Sequence, residues 1–307
     1  MSAAPMSHEL FVYDDDAAFV DAMPPFLAAG VEAGEAVVAV LASRSNELVR
    51  DALGSTGREV TFIAAENHYT RPEAALADYD ASVRRYLRDG APAVRLCGEL
   101  PMCSTQQQWD EWVAYEAILN RAFAHHPVSI MCVYDERRMP ASVVDGARRC
   151  HPDLAGGHAR ASNPDYEDPA SVVSDMWPSA AESSGDLQEL VLDNGAVSFR
   201  ERLTAAMARA GVADGSARGM LVAADEVLSN AIRHGGGVQG VHAGRVGDEF
   251  LCEISADGRW HDDPLAGFLP PRPDAVAGGG LWVARQLTRR LELLPSPSGG
   301  LLARLWV

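Results

Sequence analysis

The segment Glu226-Val-Leu-Ser-Asn-Ala-Ile-Arg-His234 predicts a helix with one polar face. Glu226, Asn230 and His234 are spaced four residues apart, so their side chains lie along one stripe of a helix. A second stripe is apolar enough to pack on a sheet and contains Met220, Leu221, Val222, Val227, Leu228 and Ile232. The Asn oxygen suits Mg²⁺, and the Glu carboxylate can orient or deprotonate a nucleophile. The pair therefore suits ATP chemistry, and a solvated Glu–Asn pair on an ordinary helix is the alternative.

A strand that ends in an acidic turn is predicted downstream of this helix. The run from Val246 to Ala256 has the pattern of a strand, and Asp257-Gly258 follows it directly. A buried Asp at a strand end can accept a hydrogen bond from an exocyclic amine such as that of adenine. An ordinary turn after a strand is the alternative interpretation of Asp257-Gly258. A last strand is predicted at Leu301–Val307.

A glycine run precedes the next predicted helix. The residues Gly278-Gly279-Gly280-Leu281 open an apolar helix that we expect to continue through Leu291. Glycines before a helix N-terminus leave backbone N–H groups free to meet phosphate oxygens, and the helix dipole favours the negative charge. The run therefore predicts a phosphate-binding lid, with a flexible loop as the alternative.

The order of these elements resembles the Bergerat-type ATPase domain shared by gyrase, histidine kinases and the anti-sigma-factor serine kinases. The resemblance covers about 187–307, and the short lid is most like that of the anti-sigma-factor kinases. It implies a two-layer α/β sandwich that binds ATP and Mg²⁺. By this resemblance Asn230 holds Mg²⁺, Glu226 is the general base, and Asp257 with Gly258 binds adenine. The phosphate lid is then formed by Gly278, Gly279, Gly280 and Leu281.

Two positions depart from the pattern of that family. Its Asp-x-Gly-x-Gly motif is here Asp257-Gly-Arg-Trp-His261, so the glycines after the Asp are displaced. The Thr that usually precedes the last strand is replaced by Gly299-Gly-Leu301. These departures leave open a switch that binds partners under nucleotide control, or without any nucleotide.

The composition predicts a protein of two domains in the reducing cytoplasm. The chain has 307 residues, enough for two hydrophobic cores. A formal charge of -17 disfavours direct contact with nucleic acid, whose phosphates it would repel. Five irregularly spaced cysteines do not form a secreted disulfide framework. Neither a membrane-spanning apolar run nor a signal peptide is visible, so no membrane contact is expected.

A stretch rich in Gly, Pro and Ser separates the predicted domains. We expect a sensory domain over 1–154, a linker over 155–186 and the ATPase-like domain over 187–307. Within the linker, the run from Ala170 to Trp177 has the pattern of a short docking helix.

The first half alternates between strand-like and helix-like segments. Ala36–Leu41 is a continuous apolar strand of the kind buried in parallel sheets. Strands separated by crossover helices predict a three-layer α/β fold with a mainly parallel sheet and helices on both faces. No Gly-x-x-x-x-Gly-Lys-Ser/Thr loop is present, so an ordinary P-loop is excluded.

Scattered motifs in this half carry a second resemblance. They are His8-Glu-Leu-Phe-Val-Tyr13, Pro25-Phe26, Gly30, Gly34-Glu35, Cys97-Gly-Glu99, Trp109 to Asn120, Cys132-Val-Tyr-Asp135 and Cys150-His-Pro152. Together they resemble the MEDS sensory domain, a RecA-like module without a phosphate loop that is found in bacterial regulators. The resemblance implies that this half senses a small molecule.

Ligands of parallel α/β sheets gather outside the carboxyl ends of the strands. The candidates for a sensing pocket are His8, Tyr69, Cys97, Glu99, Cys132, Tyr134 and Asp135. Cys97 and Cys132 have an alternative as small buried core residues. A metal site built from His8, Cys97, Cys132, Cys150 or His151 is a further alternative, without a Cys-x-x-Cys pair to support it.

The two resemblances together imply an ATP-dependent anti-sigma-factor serine/threonine kinase under the control of a small-molecule sensor. Its partners would be a sigma factor and a small antagonist protein that it phosphorylates, and a homodimer is expected by analogy. The alternatives are a catalytically weak partner-binding switch and a ligand receptor that regulates transcription through protein contacts.

Overall fold

The chain forms two compact units, Met1–Met176 and Trp177–Val307, in a computed structural model. The structure describes residues 6–156, 159–176, 186–192, 195–234, 236–258, 263, 265–271, 279–296 and 300–307. Across these ranges, every helix is too short or too polar to cross a membrane.

Unit 1 contains a seven-stranded sheet with the order β3-β2-β4-β5-β1-β6-β7. Its strands are β1 (Ser7–Tyr13), β2 (Ala36–Leu41), β3 (Val60–Ala64), β4 (Val94–Glu99), β5 (Val128–Asp135), β6 (Asp153–Gly156) and β7 (Ala159–Ser162). The pairs from β3 to β6 are parallel, and β6 pairs with β7 in an antiparallel hairpin. The predicted α/β class with a mainly parallel sheet is confirmed.

The helices of unit 1 pack in two groups. They are α1 (Asp16–Glu32), α2 (Ser43–Leu53), α3 (Ala65–His68), α4 (Pro72–Arg88), α5 (Gln106–Phe123), α6 (Ala141–Cys150) and α7 (Pro169–Met176), with a 3-10 helix at Gly54–Glu59. Helix α1 packs with α2, while α5 packs with α4, α6 and α7. This grouping is expected when crossover helices cover the two faces of one sheet.

Part of the predicted linker belongs to unit 1. Strand β7 extends the sheet, and α7 places Val172 and Val173 in the core. Asn163 fixes the connection by donating hydrogen bonds to the carbonyls of Arg148 and His151. The predicted end of the first domain at 154 and the predicted linker over 155–186 therefore differ from the structure, in which the first unit ends at Met176. The reason is that a segment rich in Gly and Pro still forms a short hairpin and a docking helix.

Unit 2 contains a five-stranded antiparallel sheet with the order β11-β12-β10-β9-β8. Its strands are β8 (Gln188–Glu189), β9 (Val238–Val246), β10 (Glu249–Ala256), β11 (Arg290–Pro295) and β12 (Leu301–Trp306). Its helices are α8 (Gly195–Ala210), α9 (Asp214–His234) and α10 (Gly280–Leu287). One core cluster joins these helices to the sheet, in agreement with the expected sandwich.

Several predicted elements of unit 2 have different bounds in the structure. The strand expected from Val246 begins after a hairpin turn at Gly247, and the helix expected to reach Leu291 ends at Leu287. The apolar stripe of α9 also differs, since Val222 and Ile232 are exposed. Its buried face consists of Met220, Ala223, Ala224, Val227, Leu228 and Ala231. Half of this face is alanine, and these small side chains allow α9 to pack closely on the sheet.

Candidate functional site

The predicted polar stripe of unit 2 lies where α9 and α10 pass each other. Gly219 of α9 lies against the backbone carbonyl of Leu287, and Glu226 lies against Gly280 at the other end of α10. The two helices therefore run in opposite directions, and the N-terminus of α10 meets the middle of the polar stripe.

Gly280 allows the closest approach in this region. A Cβ at Gly280 would lie 2.5 Å from Glu226 Oε2 and 3.5 Å from Asn230 Nδ2. Both side chains are half-buried. The structure thus brings together a carboxylate, a carboxamide and a helix N-terminus, which can together meet a metal-bound anion.

Two other predicted lid residues, Gly279 and Leu281, follow the chain into α10. Gly279 caps α10, and Leu281 is buried in the core of unit 2. Gly278 lies outside the described residues, as do Arg259, Trp260 and His261 of the altered glycine motif.

Arg285 holds the loop that precedes the lid, a role that the sequence did not suggest. Its side chain is 1% exposed, and its guanidinium donates hydrogen bonds to the carbonyls of Ala266 and Leu291. The guanidinium carbon also stacks 3.6 Å from the centre of the Phe268 ring. An Arg on an otherwise apolar helix was the available signal, because a buried Arg needs carbonyl or aromatic partners.

Asp257 is exposed, so our expectation of a buried carboxylate is wrong. The ladder of β10 ends at Ala256, where the register with β9 shifts, and Asp257 lies beyond it. Its carboxylate accepts a hydrogen bond from Gln239, and Gly237 approaches its other oxygen. Gly258 follows and is half-buried. Gln239 was not predicted, although the glycines after His234 indicate the turn that places it there.

Unit 1 has a crevice of about 320 Å³ at the carboxyl ends of its parallel strands. Two candidates for the sensing pocket, Glu99 and Asp135, line this crevice. Asp135 is bound by the Arg137 guanidinium at 2.8 Å, and hydrogen bonds from Arg137 lower the pKa of this carboxyl.

Carboxylates of the chain already occupy the N-terminus of α2 beside this crevice. Glu99 Oε2 accepts a hydrogen bond from Ala42 N at 3.0 Å, and Glu66 Oε1 accepts one from Ser43 N at 3.2 Å. Burial raises the pKa of Glu99, whereas backbone hydrogen bonds lower the pKa of the exposed Glu66. A helix N-terminus that would suit a phosphate is thus filled by acidic side chains.

The other sensing candidates lie away from the crevice, on opposite faces of the sheet. Cys97 belongs to the core under α1, where its thiol contacts Met23 Sδ at 3.3 Å, and burial raises its pKa. His8, Cys132 and Tyr134 surround the buried carboxylate of Glu116 on α5. The seven candidates therefore do not form one pocket.

Tyr69 lines a small cavity that the sequence did not predict. Its hydroxyl lies 2.7 Å from that of Tyr79, and the lining includes Tyr115 and Cys132. The volume of about 10 Å³ is enough for about one water molecule. A Cβ at Gly98 would lie 2.6 Å from the Tyr69 oxygen, so the packing of Tyr69 requires glycine there.

Comparisons with known proteins agree with this division of the chain. The family model described as MEDS, the MEthanogen/methylotroph, DcmR Sensory domain, matches residues 7–152. A second model, described as the Histidine kinase-like ATPase domain, matches residues 192–303. No curated protein matches the chain. The chain therefore joins a MEDS sensory domain to a histidine kinase-like ATPase domain and is a signalling regulator of the ATPase or kinase type.

Proposed function

We propose that the protein is an ATP-dependent anti-sigma-factor serine/threonine kinase whose activity is set by a small molecule bound to its MEDS domain. The observation that carries this proposal is the contact of the Gly280 backbone with Glu226 and Asn230. A carboxylate base, an oxygen ligand for Mg²⁺ and backbone N–H groups at a helix N-terminus are among the parts that position and stabilise a transferring phosphoryl group. The domain matches supply the class of protein, and this contact supplies the reason to expect turnover.

The residues fit a Mg²⁺–nucleotide by their chemistry, because Asn230 offers an oxygen ligand and Gly280, without a Cβ, lets the start of α10 lie close to Glu226 and Asn230. Asn230 would hold Mg²⁺ through its amide oxygen, and the N–H groups at the start of α10, with Gly278 and Gly279, would meet the phosphates. Bound Mg²⁺ supplies charge compensation at the γ-phosphate. Asp257 and Gly258 would contact the adenine.

Glu226 is the general base in this proposal. Its carboxylate accepts the proton of a serine or threonine hydroxyl of the antagonist, and that oxygen forms the new bond to the γ-phosphorus. The bond from that phosphorus to the β,γ-bridging oxygen breaks, so ADP leaves with the electron pair.

The kinase activity can be tested by phosphate transfer to a candidate antagonist protein. Glu226→Ala should lower the transfer rate by roughly 100-fold to 10,000-fold, the usual contribution of a general base. The matched control is Asp225→Ala, which removes a neighbouring carboxylate that pairs with Arg200 instead. Equal transfer by wild type and Glu226→Ala would contradict the assignment.

Nucleotide binding is tested separately, by isothermal titration with ATP and Mg²⁺. Asn230→Ala should weaken ATP–Mg²⁺ binding by roughly 10-fold, or about 1.4 kcal/mol, through loss of one ligand. Unchanged affinity in that variant would count against Asn230 as the Mg²⁺ ligand.

The second candidate is a switch that binds its partners with little or no turnover. The altered glycine motif favours it, because the glycines after Asp257 are displaced from the family pattern. A wild-type protein that captures its sigma factor without nucleotide and shows no heat with ATP would support this candidate. In both cases we propose a cytoplasmic protein, paired as a homodimer by analogy with the anti-sigma-factor kinases.

A further inference from the structure

Four side chains with metal-binding atoms converge inside unit 1. They are His8 of β1, Glu116 of α5, Cys132 of β5 and His151, which follows α6. Their ligand atoms all lie within 4.8 Å of one another, and none of the four residues is more than 4% exposed. Four separate segments of the chain thus each place one ligand atom at the same buried position in the core.

Four of the six distances between these atoms lie near the edge length of a tetrahedron around one ion, and all six are within 4.8 Å. Two nitrogen or oxygen ligands of a tetrahedral zinc ion lie about 3.4 Å apart, given bonds of about 2.1 Å. His8 Nε2 lies 3.3 Å from Cys132 Sγ and 3.3 Å from Glu116 Oε2, and His151 Nε2 lies 3.5 Å from the same oxygen. Cys132 Sγ completes the group at 3.1 Å from Glu116 Oε2.

The second nitrogen of each imidazole is held by a hydrogen-bond acceptor. His8 Nδ1 lies 3.1 Å from Asn120 Oδ1, and His151 Nδ1 lies 2.7 Å from the carbonyl of Ala147. Asn120 donates from its amide nitrogen to the carbonyl of Cys150, which leaves its oxygen facing His8. Both Nδ1 atoms therefore carry the proton, and both Nε2 lone pairs point to the centre, as in metal-bound histidines.

The four ligand atoms together have more lone pairs than hydrogen-bonding protons. His151 Nε2 is buried without a hydrogen-bond partner within the described part of the chain. Glu116 Oε1 is satisfied by the Tyr134 hydroxyl, while Glu116 Oε2 faces both imidazole nitrogens. A cation bound at this point would satisfy all four donor atoms at once and offset the charge of the buried carboxylate.

We propose that His8, Glu116, Cys132 and His151 bind one Zn²⁺ ion in a closed, four-coordinate site. Two imidazoles and a thiolate favour zinc over the hard cations Mg²⁺ and Ca²⁺, which prefer oxygen ligands. Asn120, Tyr134 and the Ala147 carbonyl orient the ligands. Because four protein ligands leave no open position, the ion would hold β1, β5, α5 and the end of α6 together.

The direct test is the metal content of the full chain, purified without an affinity tag and dialysed against metal-free buffer. Inductively coupled plasma mass spectrometry should find about one zinc per chain, as expected for a closed site. Cys132→Ser and His151→Gln should retain much less. Cys150→Ser and His125→Ala are the controls, since the Cys150 thiol donates hydrogen bonds to the backbone carbonyls of Val113 and Gly146 and His125 is exposed.

Co²⁺ binding can be measured on the wild-type chain, because its absorption spectrum depends on the ligands. The measurement therefore remains informative even where a variant of a core residue does not fold. Replacing zinc by Co²⁺ should produce strong visible absorption from tetrahedral cobalt and a near-ultraviolet band from sulfur-to-cobalt charge transfer. Asn120→Ala, which removes a positioning residue, should weaken the affinity for Co²⁺ roughly 10-fold to 100-fold. A wild-type chain that purifies without zinc and gives neither band with Co²⁺ would overturn the proposal.

Discussion

The N-termini of α2 and α10 offer the same local chemistry but are used differently. Each helix begins beside acidic side chains and presents backbone N–H groups with a positive dipole end. At α2 the amides of Ala42 and Ser43 are bound by carboxylates of the chain. At α10 a glycine brings the backbone against Glu226 and Asn230, which are half-buried.

The difference shows what turns a helix N-terminus into a binding site. The N–H groups and the dipole are general properties of helices, so they do not distinguish the two units. The distinguishing feature is whether side chains of the same chain accept hydrogen bonds from the amides. At α2 of the MEDS domain they do, which agrees with the missing P-loop of that half, whereas within the described residues no side chain bonds to the amides of Gly280 and Leu281.

The largest effect is expected at the glycine that creates this difference. In Gly280→Ala the new Cβ would come within 2.5 Å of Glu226 Oε2, so the flexible carboxylate must move. A displacement of about 1 Å in a catalytic group lowers the rate by roughly 100-fold, while the fold should be retained. The measurement is phosphate transfer to the antagonist, together with the thermal unfolding midpoint.

Gly215→Ala is the matched control for this prediction. Gly215 lies in α9 with open space around its Cα, so an added methyl group contacts nothing. This variant should transfer phosphate like wild type and unfold at an equal or slightly higher temperature. Full activity in Gly280→Ala would show that the close approach of α10 to Glu226 is unimportant for turnover.

The sequence predicted the features that depend on local spacing. The spacing of four between Glu226 and Asn230 required one helix face, and the glycine run indicated the start of a helix, which begins at Gly280. The continuous apolar run of β2 indicated a strand buried on both faces. These inferences held because each one depends on a single element and its period.

Features that depend on strand register were not predictable in the same way. Cys97 pairs with Met131 across β4 and β5, so Cys132, one residue later, faces the opposite side of the sheet. A shift of one residue would have placed both thiols together, and nothing local decides between the two registers. Strand β9 was also missed, because Gly240 and Gly244 interrupt the alternation of apolar and polar residues along it. Gly244 is needed where the backbone of Asp186 approaches β9.

A smaller effect is expected when the filled N-terminus of α2 is opened. Glu99→Ala removes the acceptor of Ala42 N, which should lower the free energy of unfolding by about 1 kcal/mol, the usual contribution of a helix N-cap. Glu47→Ala is the control, since Glu47 is an exposed carboxylate on the same helix. The measurement is urea unfolding of the full chain. Equal stability of both variants would mean that Glu99 does not cap α2.

The smallest effect is a difference in pH dependence between the two carboxylates at α2. The pKa of Glu99 is raised by burial, so its stabilising contribution is complete below its ordinary pKa of 4.5 and is lost as the pH rises. The pKa of Glu66 is lowered by hydrogen bonds to the backbone, so its contribution is present above 4.5 and is lost as the pH falls. Relative to wild type, Glu99→Gln should therefore gain stability from acid to neutral pH, while Glu66→Gln should lose it. Urea unfolding at one acidic and one neutral pH measures these changes in stability. If both variants change in the same direction between the two pH values, the contrast between the buried Glu99 and the exposed Glu66 is wrong.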